Sequence, residues 1–212
     1  MQELLCTMSK GKARGLIGLT FDDGYEDFLQ IALPVLERLG FSATVFVPAG
    51  LLGEENSWVQ EPRIKLLSAS AIRTVTERGM EVGSHGLSHA DLSGGLPSVL
   101  IDKEIVESYK ILTELLTKEV KGFCYPYGNV NDKVAQAVQQ ANYTYACGGF
   151  AVGGVGRSIY NLPRIFVSDR DTPLRLSMKV YAHLLYSKIG DTWAGRIAYI
   201  LLRKGVSKFW FS

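Results

Sequence analysis

The run TFDDG (Thr20 to Gly24) places two carboxylates, Asp22 and Asp23, side by side after an apolar stretch. Two such groups confined together repel when both are ionised, and a cation beside them is the simplest relief. The chain has three histidines, and two of them, His85 and His89, fall in the single stretch SHGLSH (Ser84 to His89). A spacing of four residues lets two imidazoles reach one ion if the segment takes a helical turn. Two histidines and one carboxylate, from Asp22 or Asp23, make a catalytic zinc set that leaves a position open for water. The third element is FCYPYG (Phe123 to Gly128). Pro126 stiffens its turn and Gly128 permits a tight backbone, so it could aim a backbone amide and an aromatic wall at a substrate.

These residues need strand ends to carry them. LIGLTF (Leu16 to Phe21) reads as a buried strand, followed by a helix in which Phe28, Ile31, Leu36 and Leu39 recur near a 3.6-residue period until Gly40. ATVFV (Ala43 to Val47), MEVGS (Met80 to Ser84), GFCYP (Gly122 to Pro126), YTYAC (Tyr143 to Cys147) and LPRIFV (Leu162 to Val167) read as further strands. Helices are predicted over Ser70 to Arg78, from about Ser98 to Leu116 and near Asp132 to Gln140. Strands alternating with helices imply a mostly parallel sheet with helices outside it, wound open or closed as a barrel. Function then belongs at the carboxyl ends of the strands, where Asp22, Asp23 and His85 fall.

The 212 residues, 47% apolar and 10% aromatic, fit one globular domain and exclude disorder or a fibrous repeat. Basic residues number 23 and acidic residues 21, a net charge of +2 that argues against a dedicated nucleic-acid binder. The charge is uneven: from Thr172 to Ser212 there are seven bases and one acid, +6, leaving 16 bases and 20 acids, −4, elsewhere. Interleaved with Trp193, Ile197, Leu201, Phe209 and Trp210, this basic segment reads as a helical face or as a peripheral contact with an anionic membrane surface. No apolar run approaches the roughly 18 residues of a spanning helix. The first fifteen residues lack the pattern of a secretory signal, so the expectation is a cytoplasmic protein, peripheral to the inner leaflet, or an extracellular one if a leader is missing from this sequence. Cys6, Cys124 and Cys147 are too few and scattered for a disulfide framework or a cysteine zinc site, and read as buried small residues.

TFDDG, SHGLSH, FCYPYG and LPRI, in that order, resemble the polysaccharide deacetylase family, carbohydrate esterase family 4, also called the NodB homology domain. The likeness runs from about Leu16 to Val167. It implies a distorted (β/α) barrel of about seven parallel strands, shorter than the eight-stranded form, within a single catalytic domain spanning 1–212. It also implies zinc, or another divalent transition metal, bound by Asp23, His85 and His89, with Asp22 as general base. FCYPYG matches the motif lining the substrate groove, which implies substrate contacts from Phe123, Tyr125, Pro126 and Tyr127 and an oxyanion contact from the Tyr127 amide. Well-studied members carry an arginine in this third motif where the chain has Cys124, and Arg164 of LPRI is the expected substitute for orienting Asp22. Many members use a late histidine as general acid. The remaining histidine, His183, lies in a stretch of helical spacing and reads as an ordinary helix residue.

The implied activity is hydrolysis of the N-acetyl group of an amino sugar in a polysaccharide, oligosaccharide or glycan precursor. Two alternatives are open on sequence alone: a catalytically silent saccharide-binding module, and a metal-dependent hydrolase of non-sugar amides.

Overall fold

The computed structural model describes residues 1–9, 16–149 and 158–189. Five short strands, β1 (Thr20–Phe21), β2 (Thr44–Val47), β3 (Glu81–Ser84), β4 (Gly122–Cys124) and β5 (Tyr145–Cys147), pair in parallel in sequential order. The result is a five-stranded α/β half-barrel among the described residues, not the sheet of about seven strands expected. LPRIFV accounts for part of the difference. Leu162 bridges Cys147, donating to the Ala146 carbonyl at 2.8 Å and accepting from Gly148 at 3.0 Å, but no strand continues from it. Pro163 follows immediately and has no amide to extend the ladder.

Strands of a parallel sheet are covered on both faces, which explains why β2, TVFV, shows no inside-outside alternation and is buried at all four positions. The β2 to β3 pairing depends on Gly83. A Cβ there would lie 2.5 Å from the Phe46 ring and 3.0 Å from the Gly122 carbonyl oxygen.

A π-helical turn at Phe28–Ala32 runs into α2 (Leu33–Leu39), which ends at Gly40 in the left-handed conformation. Ser68 caps α3 (Ala69–Glu77) by accepting from the Ala71 amide at 3.2 Å, two residues before the serine expected to open it. Asn131 does the same for α5 (Asp132–Gln140), at 3.0 Å from the Val134 amide. The long helix α4 (Ser98–Leu116) buries Ile101, Glu104, Ile105, Ser108 and Leu112, one stripe at helical spacing. Two of those five are polar: Glu104 faces the loop that carries the histidines, and Ser108 meets Ser84 at the end of β3.

The sequence reading did not foresee α1 (Gln2–Ser9). The basic segment is helical over α6 (Pro173–Ile189), which contains His183; residues 190–212 of that segment, including Trp193 and Trp210, lie outside the described residues. No described helix is long and apolar enough to cross a membrane.

Candidate metal centre

The site gathers where β1, β3 and β4 end. After Phe21 the chain turns sharply, with Asp23 at φ 67° and Gly24 at φ 66°. A Cβ at Gly24 would sit 2.7 Å from Val47 Cγ1, so only glycine fits this turn against β2. His89 and Tyr127 also take positive φ, at 64° and 61°. Five described non-glycine residues do so; Thr117 and Asn142 follow helices, and the other three are here. Such conformations cost on the order of 1–3 kcal/mol each and gather at functional sites.

His85 follows directly on β3. Its Nδ1 lies 2.8 Å from the Cys124 carbonyl oxygen, which can only accept, so Nδ1 carries the proton and Nε2 faces the site. That Nε2 is 3.3 Å from Asp23 Oδ1, and His89 Nε2 is 3.1 Å from the same oxygen. His89 arrives by a bend after β3, with Gly86 and His89 both in the left-handed region, and not by the helical turn that the four-residue spacing suggested. Both imidazoles are buried, and Asp23 is partly covered. Burial pushes the Asp23 carboxyl up, but hydrogen bonds and charge from His85 and His89 outweigh it and hold the group well below its ordinary range.

One donor atom from each of Asp23, His85 and His89 lies within 4.8 Å of the others. When both ring nitrogens carry protons, His85 Nε2 donates to Asp23; when only Nδ1 does, the ring turns a lone pair toward the carboxylate oxygen instead. A cation among the three groups converts that repulsion into attraction. Two imidazole nitrogens and one carboxylate are a donor set that fits zinc or a similar divalent transition metal.

Asp22 is engaged separately. Arg164 grips it with two hydrogen bonds, Nη1 to Oδ1 at 2.6 Å and Nη2 to Oδ2 at 2.7 Å. Nε of the same guanidinium donates to the Gly148 carbonyl at 3.1 Å, and Nη1 also reaches Thr20 Oγ1 at 3.2 Å. The fork geometry of arginine suits this paired contact. Burial raises the Asp22 pKa, the bonds and charge of Arg164 lower it, and the balance lies below the ordinary value.

Cys124 Sγ lies 3.6 Å from Asp22 Oδ1, and Asp22, His85 and Cys124 form a second group of neighbouring donors. Burial and the negative charge of Asp22 push this thiol well above its ordinary value, so it stays neutral and makes a poor metal ligand. The Asp23 group is the better candidate.

Of the aromatic wall expected from FCYPYG, only Tyr127 reaches the surface, at 58% exposure. Phe123 and Tyr125 are fully buried and Pro126 is buried. Phe123 packs on Tyr125 and Tyr143, and the Tyr125 hydroxyl donates to the Tyr160 carbonyl at 2.8 Å. These three are placed as packing beneath the site: a strand end buried on both faces turns its aromatics into the core. The sequence reading missed Trp58. Its ring stacks on His89 at 4.0 Å between centroids and 15° between planes, while Tyr127 meets the same imidazole edge-on at 4.8 Å. Trp58 lies in an irregular stretch without periodicity, so no pattern marked it. His183 lies on α6, where burial lowers its pKa.

A sequence model described as polysaccharide deacetylase matches residues 9–146. The chain belongs to the polysaccharide deacetylase family. Over 182 residues it is 29% identical to the poly-beta-1,6-N-acetyl-D-glucosamine N-deacetylase of Staphylococcus aureus, a match covering 80% of this chain and 60% of that protein. A match to a curated Bacillus subtilis relative is 26% identical and covers 66% of this chain and 47% of the other, so the chain spans about half to three fifths of such relatives. Among solved structures, the Streptococcus pyogenes deacetylase PplD in complex with acetate superposes with a TM-score of 0.69 at 25% identity, covering 84% of this chain and 76% of that one. A polysaccharide deacetylase of Bacillus cereus shares the fold at 23% identity, with a TM-score of 0.69 and 85% and 55% coverage.

Proposed function

We propose that this chain is a metal-dependent deacetylase that hydrolyses the N-acetyl group of an amino sugar in a polysaccharide or oligosaccharide, releasing acetate and a free amine. The observation that carries this reading is the division of labour between adjacent aspartates: Asp23 shares one oxygen with two histidines, while Asp22 is held apart by Arg164. The family match supports the reaction class, and the Staphylococcus relative, named for a β-1,6-linked N-acetylglucosamine polymer, supports the substrate class. The acetate complex of the Streptococcus relative agrees with acetate as product.

Asp23, His85 and His89 would hold the ion. When bound, zinc or a comparable metal supplies Lewis acidity to the acetamide carbonyl and lowers the pKa of a bound water toward about 7. Asp22 accepts a proton from the attacking water, Arg164 keeps that carboxylate ionised and oriented for the transfer, and the nitrogen takes up a proton as the carbon-nitrogen bond breaks, leaving as the amine. The Tyr127 amide supplies a hydrogen bond to the oxyanion, and the exposed Tyr127 ring with Trp58 offers flat apolar faces to a sugar.

The silent-module alternative leaned on two losses, a general acid and the motif arginine, and the second is made good in this fold. Arg164 now occupies the place of a partner to Asp22, which favours turnover. The test is acetate release from β-1,6-linked N-acetylglucosamine oligomers before metal chelation, after it, and after zinc is restored. Binding of the oligomer without acetate in any of the three states would return the reading to a saccharide-binding module.

A further inference from the structure

We propose that Glu104 is a positioning residue of the metal centre: its carboxylate sets the bend that carries His89 to Asp23. The inference rests on the metal-site reading above. Glu104 belongs to the buried stripe of α4, an unusual place for a carboxylate, since burying an ionised group is costly unless it is fully bonded. Here it accepts three hydrogen bonds from two consecutive residues. Oε2 takes the Leu87 amide at 2.8 Å and the Ser88 amide at 2.9 Å, and Oε1 takes the Ser88 hydroxyl at 2.5 Å. Ser88 immediately precedes His89.

The bend is clamped from its other side as well. The Gly86 and Leu87 carbonyls accept from the Ala49 and Gly50 amides at 2.9 and 2.8 Å, in the loop after β2. Ser84 Oγ accepts from the Gly86 amide at 3.2 Å and donates to Ser108, one turn beyond Glu104 on the same helix face. Carbonyls therefore point to the β2 loop and amides to α4, which fixes both peptide planes ahead of His89. His89 needs such fixing, because its backbone is left-handed and its Nδ1 has no hydrogen-bond partner among the described residues. A metal-binding imidazole is commonly oriented by a bond to its other nitrogen. In this chain the orientation comes from the backbone bend, with Trp58 stacked on the ring. A side chain at 104 without acceptors would leave the Leu87 and Ser88 amides without this partner and free the Ser88 peptide to rotate, carrying His89 Nε2 away from Asp23.

The test is Co2+ titration of the purified protein, read by its visible absorption bands and by competition with a chelator, alongside thermal melting. Wild type is expected to take one Co2+. Glu104→Ala is expected to bind about 10- to 100-fold more weakly, with altered bands, as outer partners of metal ligands do. Glu104→Gln can accept both amides with its carbonyl and donate to Ser88, and is expected to return affinity and bands close to wild type. Wild-type affinity and bands in Glu104→Ala overturn the proposal, and so does a Glu104→Gln as weak as Glu104→Ala. If Glu104→Ala does not fold, Glu104→Asp, which draws the carboxylate back from the amides, replaces it under the same criteria. A wild type that takes up no Co2+ overturns the metal-site reading itself, which separates that failure from the failure of Glu104 alone.

Discussion

Removing the guanidinium of Arg164 should alter both the rate and its pH dependence while leaving the metal in place. In Arg164→Ala, Asp22 loses two charge-assisted hydrogen bonds, of 2.6 and 2.7 Å, but stays partly buried. Of the opposing influences on its carboxyl, burial and the charge of Asp23, which raise the pKa, remain, and the strongest that lower it are gone. An adjacent arginine depresses an aspartate, so the Asp22 pKa should climb when the guanidinium is removed. The sign follows from its role: a general base works as the carboxylate, so kcat/KM rises with pH through the Asp22 pKa. In wild type this acid limb should lie below the ordinary carboxylate range, and in Arg164→Ala it should move upward. At neutral pH the base is still ionised, and the remaining loss, about 10- to 100-fold, reflects a carboxylate no longer held in line. The assay is acetate release from N-acetylglucosamine oligomers across pH, with metal content measured at each point so that metal loss in acid is not mistaken for titration of Asp22. Arg164→Lys should rescue little, because a single ammonium cannot form the paired contact or reach the Gly148 carbonyl in the same way. An unchanged acid limb and unchanged neutral rate in Arg164→Ala would refute the reasoning.

Cys124→Ala should leave the rate within a few-fold of wild type, since the neutral thiol offers Asp22 only a long contact; a loss comparable with Arg164→Ala, measured in the same assay, would contradict this. Gly83→Ala should lower stability by about 1–3 kcal/mol through overpacking, read from the urea midpoint, because its new Cβ would meet the Phe46 ring and the Gly122 carbonyl. An unchanged midpoint would mean that β3 can move away from Phe46.

The sequence carried the site further than the sheet. Asp22, Asp23 and His85 were legible because each sits just past an apolar run, where α/β folds place chemistry, and His89 through its four-residue spacing from His85. Helices α4 and α5 were legible within approximate bounds, since their apolar spacing is helical and Pro97 and Asn131 open them. LPRIFV was misread as a strand because composition cannot reveal that Pro163 stops the ladder after a single bridge. Phe123 and Tyr125 were misread as groove residues because the same motif can face solvent or core, and only the packing of Tyr143 beneath them decides. Arg164 was named in advance as the partner of Asp22, 142 residues away, from a family likeness and not from any local pattern. Trp58 and Glu104 escaped altogether. A lone tryptophan in an irregular stretch has no period, and a glutamate on a helix reads as a solvated charge until its burial is known.

The central claim, that neighbouring aspartates divide metal binding from proton transfer, is tested most directly by measuring zinc content and acetate release together in Asp22→Asn and Asp23→Asn. Asp22→Asn should keep zinc near one equivalent and lose roughly 100- to 10,000-fold in rate, the usual contribution of general acid and base catalysis. Asp23→Asn should lose the zinc, as should His85→Ala and His89→Ala, because each removes one of the donors gathered within 4.8 Å. Loss of metal in Asp22→Asn with retention in Asp23→Asn would reverse the two roles, and full metal and full activity in both would contradict the account.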